Sequence, residues 1–158
     1  MIQIGFSRIN NNPLSWFIRK ITKAQISHTW LLIDDPFFGI PMVLQASTEG
    51  FVPIPLEKFQ QVSTVVNVIA PKISLDNAVH DFWKKLGTGY SYEGLVGMSW
   101  VELGRIFNRQ WNNPLGSKTS FFCSQVVVLI LQAAGYPGID ALNPVDTGPE
   151  DLYNFLIK

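Results

Sequence analysis

The sequence predicts an α+β domain, an antiparallel sheet covered by helices. Two observations lead there. Short apolar and β-branched runs crowd the central block from Ser27 to Ile69, separated by turn residues such as Asp34-Asp35-Pro36. On either side of that block the apolar spacing becomes helical, most clearly from Leu75 to Leu86. Strands gathered in a block with helices flanking them fit a sheet that buries one face under helices. The chain has 158 residues and shows neither an internal repeat nor a linker, so one domain over residues 1–158 is expected. At 47% hydrophobic and 13% aromatic it can fill a real core.

Met1 to Phe6 reads as a short strand weakened by Gly5, and Ser7 to Asn12 as a turn. Asn12-Pro13 supplies an N-cap and a proline at the first helical position, and Leu14, Phe17, Ile18 and Ile21 form the stripe of the helix that follows. Ser27 to Ile33 is a strand ended by Asp34-Asp35-Pro36. Met42 to Ala46 is the next, and the two are expected to pair as an antiparallel hairpin. Phe51-Val52-Pro53-Ile54-Pro55 is extended, and its prolines restrict it to a sheet edge. Val62 to Ile69 is β-branched and reads as an inner strand.

Ser74 is placed to cap a helix whose stripe is Leu75, Ala78, Val79, Phe82, Trp83 and Leu86, with Gly87 at its end and His80 on its solvent face. Tyr92 to Phe107 has helical character weakened by Gly94, Gly97 and Gly104, and Trp111 to Gly116 reads as loop. An apolar helix then begins near Cys123, with Ser117, Thr119 or Ser120 as its cap and Gly135 and Pro137 beyond its end. Thr147-Gly148-Pro149-Glu150 fits a capping box ahead of a short C-terminal helix anchored by Leu152, Phe155 and Leu156.

Charge and composition exclude several functions. Twelve basic residues balance twelve acidic ones, and no Lys/Arg cluster stands out, so there is no electrostatic case for nucleic acid or an anionic membrane. The longest aliphatic run, Val126 to Leu131, is too short to span a bilayer. The N-terminus lacks the basic and apolar regions of a signal peptide, so a soluble protein made in the cytoplasm is expected. One cysteine allows no internal disulfide, and one Cys with two distant His offers no metal-ligand spacing. Gly87-Thr88-Gly89 is not followed by the Lys and Ser/Thr of a phosphate loop. No cofactor is expected, and oligomeric state is not written in the sequence.

The chemistry rests on Cys123. In the first turn of a helix a thiol meets unsatisfied N–H groups and the positive end of the macrodipole, and both favour thiolate. The plain alternative is a small buried hydrophobe. A nucleophilic thiol needs a base and a group to orient that base. His28 lies on a strand in phase with Trp30 and Leu32, open both to a core role, satisfied by a backbone carbonyl, and to a catalytic one. Gln45 is the polar break in Met42-Val43-Leu44-Gln45-Ala46, and its side-chain oxygen can accept from an imidazole N–H. Glu49 is the fallback for that third position, in an exposed-looking turn.

Taken together these segments resemble the circularly permuted NlpC-type papain-like cysteine hydrolases, the YiiX-like proteins of bacteria and phage, and more distantly the relatives of lecithin:retinol acyltransferase. Ser27-His28-Thr29-Trp30-Leu31-Leu32-Ile33 resembles that superfamily's His strand, Val43-Leu44-Gln45-Ala46 the strand after it, and Phe122-Cys123-Ser124-Gln125-Val126-Val127 the Cys helix. Asn143-Pro144 through Pro149-Glu150-Asp151-Leu152-Tyr153 resembles the tail that commonly follows. Gln45 stands where the family often has Glu or His. The resemblance implies a papain-like fold and a triad of Cys123, His28 and Gln45 acting on a peptide or acyl substrate. Bacterial wall peptides are the first substrate class and lipid acyl esters the second; a binding domain that keeps the fold without catalysis is a third outcome. Tyr90 and Tyr92 resemble a tyrosine-containing segment upstream of the family's Cys, which implies a weak link of Tyr92 to substrate or oxyanion.

Overall fold

The structure is a computed structural model that describes residues 1–9, 25–34, 36–89, 101, 104, 109, 111, 112, 114 and 121–158. Five strands form one antiparallel sheet: β1 (Ile2–Ile9), β2 (His28–Ile33), β3 (Met42–Ser47), β4 (Gly50–Pro55) and β5 (Ser63–Ile69), in the order β4-β3-β2-β1-β5. Among the described residues four helices can be bounded beside it: α1 (Leu56–Val62), α2 (Asp76–Phe82), α3 (Cys123–Ala133) and α4 (Pro149–Leu156). The architecture is α+β, as the sequence predicts.

Period-two alternation sorts the strand side chains into two faces. Ile4, Phe6, Leu31, Ile33, Leu44 and Ala46 join the main core with Val126, Val127, Ile130 and Leu131 of α3. The opposite face carries a smaller core of Trp30, Val43 and Phe59, with Leu32, Ile54 and Val68 packed against it. Phe59 comes from α1, a seven-residue helix between β4 and β5 whose single buried residue it is. Among the described residues both faces of the sheet therefore carry packed side chains, the second through Phe59 of α1.

Several expectations are corrected. The first strand runs on to Ile9 through the segment read as a turn, because β1 pairs with β2 and β5 at once. The β-branched run read as an inner strand is β5, which among the described residues is an edge strand paired to β1. Its composition reflects a half-buried pleat, with Ser63 buried, Val66 exposed and Val65 and Val68 packed on the smaller core. Helix α1 was not foreseen. Helix α2 is capped at Leu75, while Ser74 Oγ lies 3.2 Å from the Asp76 N–H. β4 is an edge strand and β2 pairs with β3, as expected. The expected stripe Leu14 to Ile21, the caps Ser117, Thr119 and Ser120, and both Tyr90 and Tyr92 lie outside the described residues. Of the segment from Tyr92 to Phe107, Val101 and Gly104 are described, both helical and buried.

Candidate active site

Helix α3 begins at Cys123, which is its first residue, with Phe122 in extended conformation before it. Phe122 has no side-chain acceptor, so the helix start is secured from the other direction: Gln125 Oε1 accepts the Phe122 N–H at 3.4 Å. The helix runs eleven residues and ends ahead of Gly135, whose φ of 69° turns the chain away. The thiol thus occupies the helix start that the sequence predicts, without a Ser or Thr cap at Phe122.

His28 opens β2 and Gln45 lies in β3, on the face that also carries Trp30 and Val43. His28 Nε2 and Gln45 Oε1 are 2.7 Å apart, and both residues are buried. An amide oxygen only accepts, so Nε2 carries the proton and Nδ1 of the neutral ring keeps its lone pair. Phe59 stands over the imidazole with ring centroids 6.1 Å apart and also packs against Trp30 at 4.8 Å. Burial under this apolar cover pushes His28 from its ordinary value down to about 4, and the bond to Gln45 only partly opposes it. The imidazole is neutral at pH 7. Glu49, the fallback for the third position, sits exposed in the turn between β3 and β4, its N–H on Ser47 Oγ.

The sulfur reaches the backbone of β2 at Thr29. Burial pushes the Cys123 thiol up, and hydrogen bonding at the backbone of Thr29, then of Ser124 and Cys123, acts the other way. A hydrogen bond that favours thiolate must donate to sulfur, so the Thr29 contact is its N–H. The Ser124 hydroxyl acts in the same direction and is the smallest of these causes; its one hydrogen also meets Thr147 O at 2.7 Å, so the backbone N–H groups are the dedicated donors at the sulfur. The helix start favours thiolate, as the sequence predicts, but burial outweighs its N–H donors, so thiol and imidazole both rest neutral at pH 7. Among the described residues the structure joins His28 to Gln45 and Cys123 to the Thr29 peptide, and no hydrogen bond joins the thiol to the imidazole directly. The reason is geometric: Thr29 is in phase with Leu31, on the face α3 covers, and His28 is in phase with Trp30, on the other.

The sheet is open where these groups gather. β2 pairs with β1 from Ile33 back to His28, but with β3 only at Leu31–Leu44, Leu32–Val43 and Ile33–Met42. Beyond Leu31 the two strands are linked through side chains, His28 to Gln45. Among the described residues no group of three or more His, Cys, Asp or Glu is placed to hold a metal ion, and no helix is long and apolar enough to cross a membrane.

No family model matches the chain, and no curated protein matches it. Among solved structures it is similar to the metalloprotein yiiX of Escherichia coli O157:H7, with a TM-score of 0.46 and 20% identity over 91% of this chain and 76% of that one. The metal named for that protein is a property of that protein, and a likeness of this extent carries no argument about activity here.

Proposed function

We propose that this chain is a thiol-dependent hydrolase of amide bonds, a cysteine peptidase or amidase with a permuted NlpC-type papain-like domain. The observation that carries the reading is the buried His28–Gln45 hydrogen bond, 2.7 Å long, which leaves the lone pair of the neutral imidazole on Nδ1, one residue from the peptide that bonds the Cys123 sulfur. Cys123 Sγ attacks the carbonyl carbon and its proton passes to His28 Nδ1, a transfer that requires the two groups, on opposite faces of β2, to meet around its open end where β3 does not pair with it. The Cys123 N–H, at the start of α3, faces the developing oxyanion. Collapse breaks the C–N bond, and the leaving amine takes the proton back from the imidazolium. Water then attacks the thioester, giving its proton to His28; the acid is released and the thiol restored. Gln45 keeps the ring in the Nε2–H tautomer. Being neutral, it stabilises imidazolium less than a carboxylate does.

Because thiol and imidazole both rest neutral, proton transfer accompanies attack instead of preceding it. Substrate class follows from the sequence resemblance: peptides of the bacterial wall first, lipid acyl esters second. Hydrolysis of wall fragments against release of fatty acid from phospholipid separates them. The test of the reading itself is alkylation of Cys123 by iodoacetamide, followed from pH 5 to 10 in the wild type and in His28→Ala. Loss of His28 should slow alkylation at pH 7 by at least tenfold. Identical pH profiles in the two proteins would sink the catalytic reading and leave a binding domain that keeps the fold.

A further inference from the structure

The segment from Asn143 to Asp151 touches both halves of the site without containing any of its reactive groups. On one side it holds α3: Ser124 Oγ, the residue next to the sulfur, donates to Thr147 O at 2.7 Å, and both residues are buried. On the other it holds the chain leading into β2. One oxygen of Glu150, Oε2, accepts the Gln25 N–H at 3.1 Å and the Ile26 N–H at 3.0 Å, two residues before His28. Two residues, Gly148 and Pro149, therefore separate the grip on the Cys helix from the grip on the His strand.

The segment is itself braced. Thr147 Oγ1 donates to Asn143 O at 2.7 Å, and the Gly148 N–H to Asp151 Oδ2 at 2.8 Å. The sequence expectation of a capping box from Thr147 to Glu150 is corrected by one residue: Gly148 is the cap and Asp151 the reciprocal partner. That shift is what leaves Glu150 Oε2 to serve the amides of Gln25 and Ile26. The strand entry has a second anchor on β1, where Arg8 Nε donates to Gln25 O at 2.7 Å and the Ser27 N–H to Ser7 O at 3.1 Å. On its other side β2 has no backbone ladder to β3 over His28, Thr29 and Trp30, only the His28–Gln45 side-chain bond, since that ladder starts at Leu31. A strand end held by one neighbouring strand needs another constraint if the Thr29 N–H is to stay on the Cys123 sulfur. Two N–H groups on one carboxylate oxygen supply it, in a bond type roughly twice as strong as a neutral one.

We propose that this C-terminal segment is a clamp that sets the spacing between the sulfur and the imidazole, with Glu150 as a positioning residue. The inference rests on the thiol hydrolase reading for its functional consequence and on geometry alone for the clamp. It predicts coupling between Glu150 and His28, although Glu150 bonds only the amides two and three residues before the imidazole. Glu150→Ala should slow Cys123 alkylation at pH 7 by at least fivefold. The same change made in His28→Ala should add less than twofold, because the contribution being lost is already gone. Glu150→Gln keeps an oxygen acceptor and should stay within threefold of wild type. A residue serving general stability would act equally in both backgrounds.

Hydrogen exchange read amide by amide tests the clamp independently of chemistry. Glu150→Ala should raise exchange at Gln25 and Ile26, its direct partners, and also at Thr29, the sulfur's donor. If His28→Ala leaves alkylation unchanged, the hydrolase reading falls, and faster Thr29 exchange still supports the clamp. Unchanged Thr29 exchange, or equal slowing of alkylation by Glu150→Ala in both backgrounds, overturns it. Should Glu150→Ala fail to fold, Ser124→Ala releases the other grip and is expected to give the same His28-dependent loss and the same Thr29 signature; its absence would count equally against the proposal.

Discussion

Trp30 lies on Gly5 so closely that a Cβ built at Gly5 would come within 2.3 Å of the indole Cε2. The two residues are direct partners across β1 and β2, and the indole N–H continues past the glycine to Ser7 Oγ at 3.2 Å. The glycine that weakens β1 as a strand thus makes room for the largest side chain of the smaller core. That core in turn shapes the cover over His28, since Phe59 packs on both rings.

Gly5→Ala should accordingly destabilise the fold although β propensity improves. Overpacking against a buried indole costs about 1–3 kcal/mol. Urea denaturation followed by tryptophan fluorescence measures it. A variant as stable as wild type would mean that Trp30 has somewhere else to go.

Replacing Gln45 separates its two effects on His28. In Gln45→Leu the buried Nε2–H loses its acceptor, which costs about 1–3 kcal/mol of stability. In Gln45→Glu a carboxylate favours imidazolium, so the His28 pKa should rise from about 4. Proton NMR titration of the imidazole reads the second effect and thermal denaturation the first. A His28 pKa that stays put in Gln45→Glu would break the assigned pairing.

The same burial makes stability depend on pH in a stated direction. His28 is depressed from about 6.5 in the unfolded chain to about 4 in the fold. Between those values the unfolded chain holds the extra proton. The stability His28 contributes is therefore present above pH 6.5 and is lost as pH falls through about 4; the interval corresponds to about 3 kcal/mol. Cys123 has the opposite sign. Its pKa is raised in the fold, so its contribution is present below about 8.5 and is lost as pH rises beyond that. Stability should peak between these limits. Denaturation midpoints from pH 4 to 10 test this, with His28→Gln removing the acid limb and Cys123→Ala the alkaline one; an acid limb unchanged in His28→Gln would rule out the buried imidazole as its source.

Local chemistry was enough to place Cys123, His28 and Gln45 in their elements. A single cysteine where polar loop gives way to an apolar run marks the first residue of α3, because helix starts are set by neighbouring residues. Alternation placed His28 in phase with Trp30 and made Gln45 the polar break of the next strand, and the two meet at 2.7 Å because an antiparallel hairpin brings such positions together. Hairpin, edge prolines and helix periodicity were legible for the same reason.

Properties set by long-range neighbours were decided only in three dimensions. Among the described residues β5 is an edge because β1 sits between it and β2, which its own β-branched residues do not record. Helix α1 exists to lower one phenylalanine onto a face of the sheet that seven residues of sequence do not announce. The charge state of Cys123 has a like cause: the helix start is local and favours thiolate, but desolvation comes from everything packed around it and is larger. Glu150 bonds amides 125 and 124 residues earlier in the chain, a relationship no window of sequence contains. Sequence by itself determined which groups are available and what element each begins or interrupts; tertiary packing decided which of them touch and how much water remains around them, because burial is a sum over distant parts of the chain.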